Sequence, residues 1–362
     1  MENPYSALPA RAFWSPAVAK KHMNDINDLW RAPFPITSKS KFVTFGSCFA
    51  QHFSRALVAR GLKWNDCEPA PVGLHPDTAK QFNYGIFSAR TGNIYTTSLL
   101  LQWTKWAFGN AIPPAIFWEK DGRFYDPFRP VVEPDGFGSP DEVYASRAAT
   151  IAAFRQSIMT ANIFVFTLGL TESWWDTKGG FEYPMCPGTL AGEFDPVDHK
   201  FINQDYDFVR KNLIQTINLI RAARPEGPQF LLTVSPVPLT ASNSGNHVLV
   251  ATMHSKSILR AVAASVESCL KGVSYFPSYE VIAAPPFRGA FFDPNMRSVN
   301  MAGVDLVMKT FFSGIADSAT TTAVVPHEAP RENARAVPDS VCDNDLKCEE
   351  ELLGAFGPDT KS

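Results

Sequence analysis

The feature that most constrains this chain is an alternation of short, wholly apolar runs with amphipathic stretches of helical spacing. Lys41 to Phe45 is apolar and partly β-branched, Gly46 breaks it, and Cys48 to Arg60 then carries Phe49, Phe53, Leu57 and Val58 at helical intervals. Ala161 to Leu168 has no polar face and stops at Gly169; after a long connection, Tyr206 to Ala223 sets Val209, Leu213, Ile217 and Ile220 on one side. Gln229 to Val234 repeats the pattern, followed by Val250 to Leu270 with Ile258, Leu259, Val262 and Val266 inward. Gly272 to Phe276 supplies a last short strand and Ala302 to Phe312 a closing helix. Strands buried on both faces and separated by helices predict an α/β fold, a mainly parallel sheet with helices on both faces.

The rest of the chain is organised around that body, residues 41–316. Residues 1–40 hold Pro4, Pro9, Pro16, Pro33 and Pro35 among aromatics, which predicts an extended N-terminal arm. Two long inserts, 61–150 and 171–204, are dense in Trp, Tyr, Phe, Pro and Gly and read as ordered loops over a site. Residues 317–362 turn polar and acidic, with Glu328, Glu332, Asp339, Asp343, Asp345, Glu349, Glu350 and Glu351, and are expected to be a disordered tail.

Charge and cysteine content narrow the function. With 33 Lys+Arg against 36 Asp+Glu the net charge is −3, too little positive charge for nucleic-acid binding by the chain as a whole. The longest apolar run, Ala161 to Leu170, is too short for the ~20 residues of a membrane-spanning helix. The start Met1-Glu2-Asn3-Pro4 lacks a basic flank and apolar run, so the chain reads as cytoplasmic. Six cysteines without CxxC spacing fit neither a zinc site nor a disulfide framework; reduced thiols, no metal and no cofactor are expected.

Ligands of an open parallel sheet bind beyond the carboxyl ends of its strands, so residues there are the site candidates. Ser47, after the first strand, would expose its hydroxyl at a helix N-terminus, as a nucleophile or as a simple N-cap; Cys48 is a rival nucleophile or a small buried hydrophobe. Gly169, Thr171 and Glu172 follow the most apolar strand, where they offer hydrogen bonds to a substrate oxygen or form an ordinary capped turn. His247, in the loop after Ser235-Pro236-Val237-Pro238, and then His254 are the candidate proton acceptors, although His254 also suits a buried structural role. Asp293 is placed to orient a histidine and Arg297 to bind a carboxylate or phosphate, unless both are surface ion pairs. Gly92-Asn93 offers an oxyanion site or a plain turn.

The run Gly46-Ser47-Cys48-Phe49-Ala50 spells the motif of the GSCFA domain family, within the wider SGNH/GDSL-like hydrolase group, and the chain resembles that family in further segments: Leu8 to Trp14, Gly92 to Thr96, Ser235 to Pro238, Ser255-Lys256-Ser257 and Tyr275 to Glu280. The resemblance implies a three-layer, flavodoxin-like α/β fold, a serine nucleophile at Ser47 and esterase or acyl-transfer chemistry. It implies Gly92 as the oxyanion-supporting glycine and Gly169-Leu170-Thr171-Glu172 as a modified Gly-x-Asn-Asp block. The group's Asp-x-x-His block is incomplete, because Asp293 is followed by Pro294, Asn295 and Met296. The expectation is therefore a serine esterase with Ser47 as nucleophile, Gly92, Asn93 and Thr171 as oxyanion donors and His247 as base. Its substrate would be a small-molecule or saccharide acyl ester, with the aromatic inserts as a sugar platform. A catalytically silent glycan- or acyl-binding module and an acyltransferase onto sugars are the alternatives. The sequence specifies no oligomeric state.

Overall fold

The structure is a computed structural model that describes residues 3–316 and 349–357. In chain order, β1 (Lys41–Gly46), α1 (Ala50–Ala59) and β2 (Lys63–Trp64) come first. The first insert carries α2 (Pro76–Gln81), α3 (Thr97–Ala107), the hairpin β3 (Trp118–Lys120) and β4 (Arg123–Tyr125), and α4 (Pro140–Thr160). After β5 (Ile163–Leu168), the second insert forms an antiparallel sheet of β6 (Glu172–Asp176), β7 (Glu182–Tyr183) and β8 (His199–Asn203). Then follow α5 (Tyr206–Ala223), β9 (Gln229–Val234), α6 (Val248–Cys269), β10 (Val273–Tyr275), α7 (Ser278–Ala283) and α8 (Met301–Ala316).

The main sheet runs β10-β9-β5-β1-β2 and every neighbouring pair is parallel. From β1 the chain goes outward to β2, then returns to the other side for β5, β9 and β10; this is the flavodoxin-like order, with its switch point between β1 and β5. Alternate residues of β1 feed two cores. Val43 and Phe45 pack with α3, α4, α5 and α6, whereas Phe42 packs with Phe53 of α1, Val281 of α7 and Phe311 of α8. The result is the expected three layers.

The N-terminal arm ends inside the second core. Trp30 stacks on Phe311 at a centroid distance of 5.5 Å, and Ala32 N–H donates to Gly314 O at 3.1 Å. Gly314 is a close approach that needs a glycine, since a Cβ there would lie 2.5 Å from the Trp30 ring. The inserts differ from expectation in two ways. Residues 61–150, expected as loop, contain α3 and the first half of the 21-residue α4. Several of their aromatics are also spent on the core: Trp103 packs on Phe154, Trp106 and Tyr183 on Phe128, and Trp118 on Tyr183, so these four buried rings offer no face to a sugar.

Of the expected tail, residues 317–348 and 358–362 lie outside the described residues. The described part is not loose. Glu349–Phe356 forms short 3₁₀ turns against the body, with Leu352 packed on the first core and Glu350 accepting the Thr240 N–H at 2.7 Å.

Candidate active site

The site begins with a glycine that nothing else could replace. Gly46 has φ +126°, and a Cβ there would sit 2.3 Å from the Thr167 carbonyl oxygen on β5. That close approach lets Ser47 N–H donate to Thr167 O at 3.0 Å and continue the ladder one residue past the strand. The chain then turns into α1 through tight i→i+3 bonds, Ala50 N–H to Ser47 O at 2.9 Å and Gln51 N–H to Cys48 O at 3.2 Å. Ser47 is 2% exposed, and its Oγ has no hydrogen-bond partner among the described residues. It is not a helix cap: the N-cap of α1 is Phe49, with no side-chain bond. The Thr167 hydroxyl beside it is likewise buried and unpartnered.

Neighbouring loops close around Ser47. Ile94 N–H donates to Gly46 O at 2.9 Å, which holds the buried Asn93 against the end of β1, and Gly92 takes the left-handed φ of +65° that the turn requires. Gly169 N–H donates to Tyr95 O at 2.9 Å. A Cβ on Gly169 would come 3.2 Å from Ser47 Cβ, so Ser47, Asn93, Thr167 and Gly169 meet at the β1/β5 switch point. Cys48 is disulfide-bonded; it carries no thiolate to compete with Ser47, and it corrects the expectation of reduced thiols at this position. Cys67, Cys186 and Cys269 are free.

The remaining candidates are placed differently. Thr171 spends both donors inside the fold, its N–H on Ser255 Oγ at 3.0 Å and its hydroxyl on Asn203 Oδ1 at 2.7 Å, which leaves none for an oxyanion. Glu172 accepts from the Ser242 hydroxyl at 2.6 Å and the Asn243 N–H at 3.2 Å; it pins the loop before α6, and burial raises its pKa. His247 is exposed and caps α6, its Nδ1 accepting the Leu249 N–H at 3.2 Å. His254 is exposed two turns later and faces the charge of Glu172. Neither histidine holds Ser47, because the lone pair of His247 is used in capping and His254 lies on the outer side of its helix. Asp293 sits in a turn, its N–H donating to Ser298 O at 2.8 Å, and among the described residues it orients no histidine. Arg297 pairs with Glu351 at 3.1 Å and Glu350 at 3.4 Å.

One residue escaped the sequence reading. Lys256, 2% exposed, donates from Nζ to Gly169 O at 2.6 Å and so touches the residue on which Ser47 packs. Burial pushes its ammonium down to about 8, with Glu350 pulling it back up and Arg297 pushing it further down. The signal was present: Lys256 shares the buried stripe of α6 with Thr252, Ser255 and Leu259, where a charge has no reason to be unless something meets it.

One residue past Tyr95, Thr96 donates to the buried Glu182 carboxyl, and Glu182 Oε2 and Gln204 Oε1 have no partner among the described residues. Burial drives Glu182 up from 4.5 to about 7, outweighing the Ser98 and Thr96 hydroxyls. Its protonated form is therefore favoured by folding, and the stability it provides, complete below about pH 4.5, is lost as pH rises to about 7. Glu182→Gln is expected to leave the unfolding free energy at pH 4.5 near native and to raise it at pH 8 by up to about 3 kcal/mol. Denaturant titrations at the two pH values check this; an equal change at both would show that titration is not the cause.

Among the described residues no helix is long and apolar enough to cross a membrane, and no cluster of three or more His, Cys, Asp or Glu could hold a metal. A model of the GSCFA family matches residues 41–311. A solved structure, described as a crystal structure of a serine-to-alanine mutant of an acetyl esterase with an acetate ion, is similar to this chain. The likeness covers 77% of this chain and 99% of that one, at 12% identity and a TM-score of 0.33. No curated protein matches.

Proposed function

This chain belongs to the GSCFA family, and we propose from that premise that it is a serine-dependent acyl hydrolase of SGNH type with Ser47 as its nucleophile. The observation that carries the reading is the Ser47 hydroxyl, buried and unpartnered among the described residues at the switch point of the sheet, behind a glycine whose φ only that residue tolerates. A hydroxyl kept in such a place costs stability, and an attacking oxygen is a function that would justify it.

In this reading Ser47 Oγ attacks the acyl carbonyl carbon while its proton passes to the neutral amine of Lys256, which must swing from its resting bond to Gly169 O to reach the hydroxyl. The developing oxyanion is met by the Asn93 side-chain amide and by the positive end of α1, which begins three residues after Ser47 at Ala50. Collapse of the tetrahedral intermediate releases the alcohol, which takes the proton from Lys256. Water then enters by the same route and frees the acid.

The test is a fluorophosphonate probe with the adduct mapped by mass spectrometry, alongside phenyl acetate turnover from pH 6 to 9. We expect the adduct on Ser47. We also expect kcat/KM to rise about tenfold per pH unit and to level near pH 8, where Lys256 becomes the amine. Folded protein that neither turns over ester nor labels at Ser47 across that range would instead favour a binding module.

A further inference from the structure

Arg297 is linked to the nucleophile through a series of contacts and one charge interaction. Ser47 packs on Gly169, Gly169 O receives Lys256 Nζ at 2.6 Å, and Lys256 and Arg297 both lie in the field of the Glu350 carboxylate. The carboxylate is held at both ends: Thr240 N–H donates to Oε1 at 2.7 Å and Arg297 Nη2 to Oε2 at 3.4 Å. Arg297 Nη1 reaches a second carboxylate, Glu351 Oε1, at 3.1 Å. A guanidinium is a planar fork matched to both oxygens of a single carboxylate. Here each terminal nitrogen makes a single contact to a different residue, and Arg297 Nε and the Thr240 hydroxyl are buried with no partner among the described residues. The donors of this pocket thus exceed what their present occupants use.

Those occupants come from the short 3₁₀ turns Glu349–Phe356, a geometry that holds poorly on its own. Phe356 is 63% exposed, and Leu352 packs only partly buried on the core. Its Glu350 carboxylate, set between Arg297 and the charge of Lys256, has the form of a stand-in for a ligand of the same chemistry.

We propose that Arg297 and the Thr240 backbone N–H form a carboxylate-binding subsite beside Ser47, that the acyl ester cleaved there carries a carboxylate, and that Glu350 fills the subsite until such a substrate displaces it. The substrate part of this inference rests on the hydrolase reading above; the subsite itself does not.

The test compares 4-acetoxybenzoate with its neutral methyl ester on the full-length native chain, Glu350→Gln and Arg297→Gln, with benzoate-induced shifts in melting temperature as a second readout. The native chain should favour the anionic ester by about tenfold or more in kcat/KM, the size of a charge-assisted hydrogen bond. Glu350→Gln should lower KM for that ester severalfold, and Arg297→Gln should bring the ratio of the two esters close to one. Should Arg297→Gln fold poorly, Arg297→Lys keeps the charge without the fork and should give an intermediate ratio. Cleavage of both esters with a ratio near one in the native chain and in Glu350→Gln overturns the subsite and leaves the hydrolase standing. Cleavage of neither, with benzoate still stabilising Glu350→Gln and failing to stabilise Glu350→Gln/Arg297→Gln, supports the subsite and removes the hydrolase. If benzoate stabilises neither variant and no ester is cleaved, the subsite is wrong.

Discussion

Ser47→Ala is expected to reduce ester hydrolysis by about 10⁴-fold or more while making the protein more stable. The two effects share one cause. Ser47 Oγ is buried without a hydrogen-bond partner among the described residues, and a buried hydroxyl left unsatisfied costs about 1–3 kcal/mol, which the alanine removes. The methyl group fits, because the Cβ is already in place against Gly169 and no cap of α1 is lost. In a domain of this size the gain should appear as a rise of a few degrees, on the order of 1–3 °C per kcal/mol, in melting temperature. Steady-state turnover of an acetyl ester and a thermal melt on the same preparations check the pair. A structural serine would give the opposite signature, with activity largely kept and the melting temperature lowered. Unchanged turnover in a well-folded Ser47→Ala would end the case for this nucleophile.

The strand-turn-helix around Ser47 was legible because its causes are local. An apolar run of strand length, a glycine and an amphipathic stretch leave few arrangements, and the β1/β5 switch point follows from repeating that unit. The first insert was less legible for a physical reason. The buried side of α4 holds Val143, Arg147, Thr150, Phe154, Ser157 and Ile158, so polar residues interrupt the apolar stripe that marks a helix. Its start was written in Ser139-Pro140-Asp141-Glu142, a capping box in which Ser139 Oγ accepts the Glu142 N–H at 3.3 Å while the Glu142 carboxylate accepts the Gly138 N–H at 2.8 Å. At the site, the residue types were sound guides where geometry is set nearby, as at Asn93, and poor guides where partners come from afar. His247 has the chemistry of a base, yet a histidine just ahead of a helix is also a ready cap, and that local bond won. Thr171 was claimed by Asn203 from the far end of the second insert. Glu350 reaches Thr240 and Arg297 across a stretch of chain whose composition gives no sign of where it returns.

Asp126→Asn is expected to cost about 3–5 kcal/mol of stability at neutral pH, the largest effect of a single change outside the site. Asp126 and Arg129 have fully buried side chains, and Arg147 is 3% exposed. Arg129 Nε reaches one carboxylate oxygen at 2.8 Å and Arg147 Nη2 the other at 2.9 Å. Burial alone pushes the Asp126 carboxyl up, but the two guanidinium groups outweigh it and hold it below the ordinary carboxylate range. With a depressed folded pKa, its contribution is present above the unfolded value near 3.8 and fades as pH falls through the lower one. The asparagine keeps the shape and one acceptor while leaving two buried cations with no counter-charge, so the loss measured by denaturant unfolding should be large at pH 7 and shrink toward pH 2. Adding Arg129→Leu and Arg147→Met should recover much of it, since a well-packed apolar trio no longer needs the charge. The damage should also reach the chemistry. Arg129 donates to Thr150 and to Arg90 O, and Arg90 lies three residues before Asn93, whose neighbour Ile94 bonds Gly46 O at the end of β1. Asp126→Asn should therefore lose esterase activity at denaturant concentrations below those that unfold the sheet, whereas Ser47→Ala has none to lose.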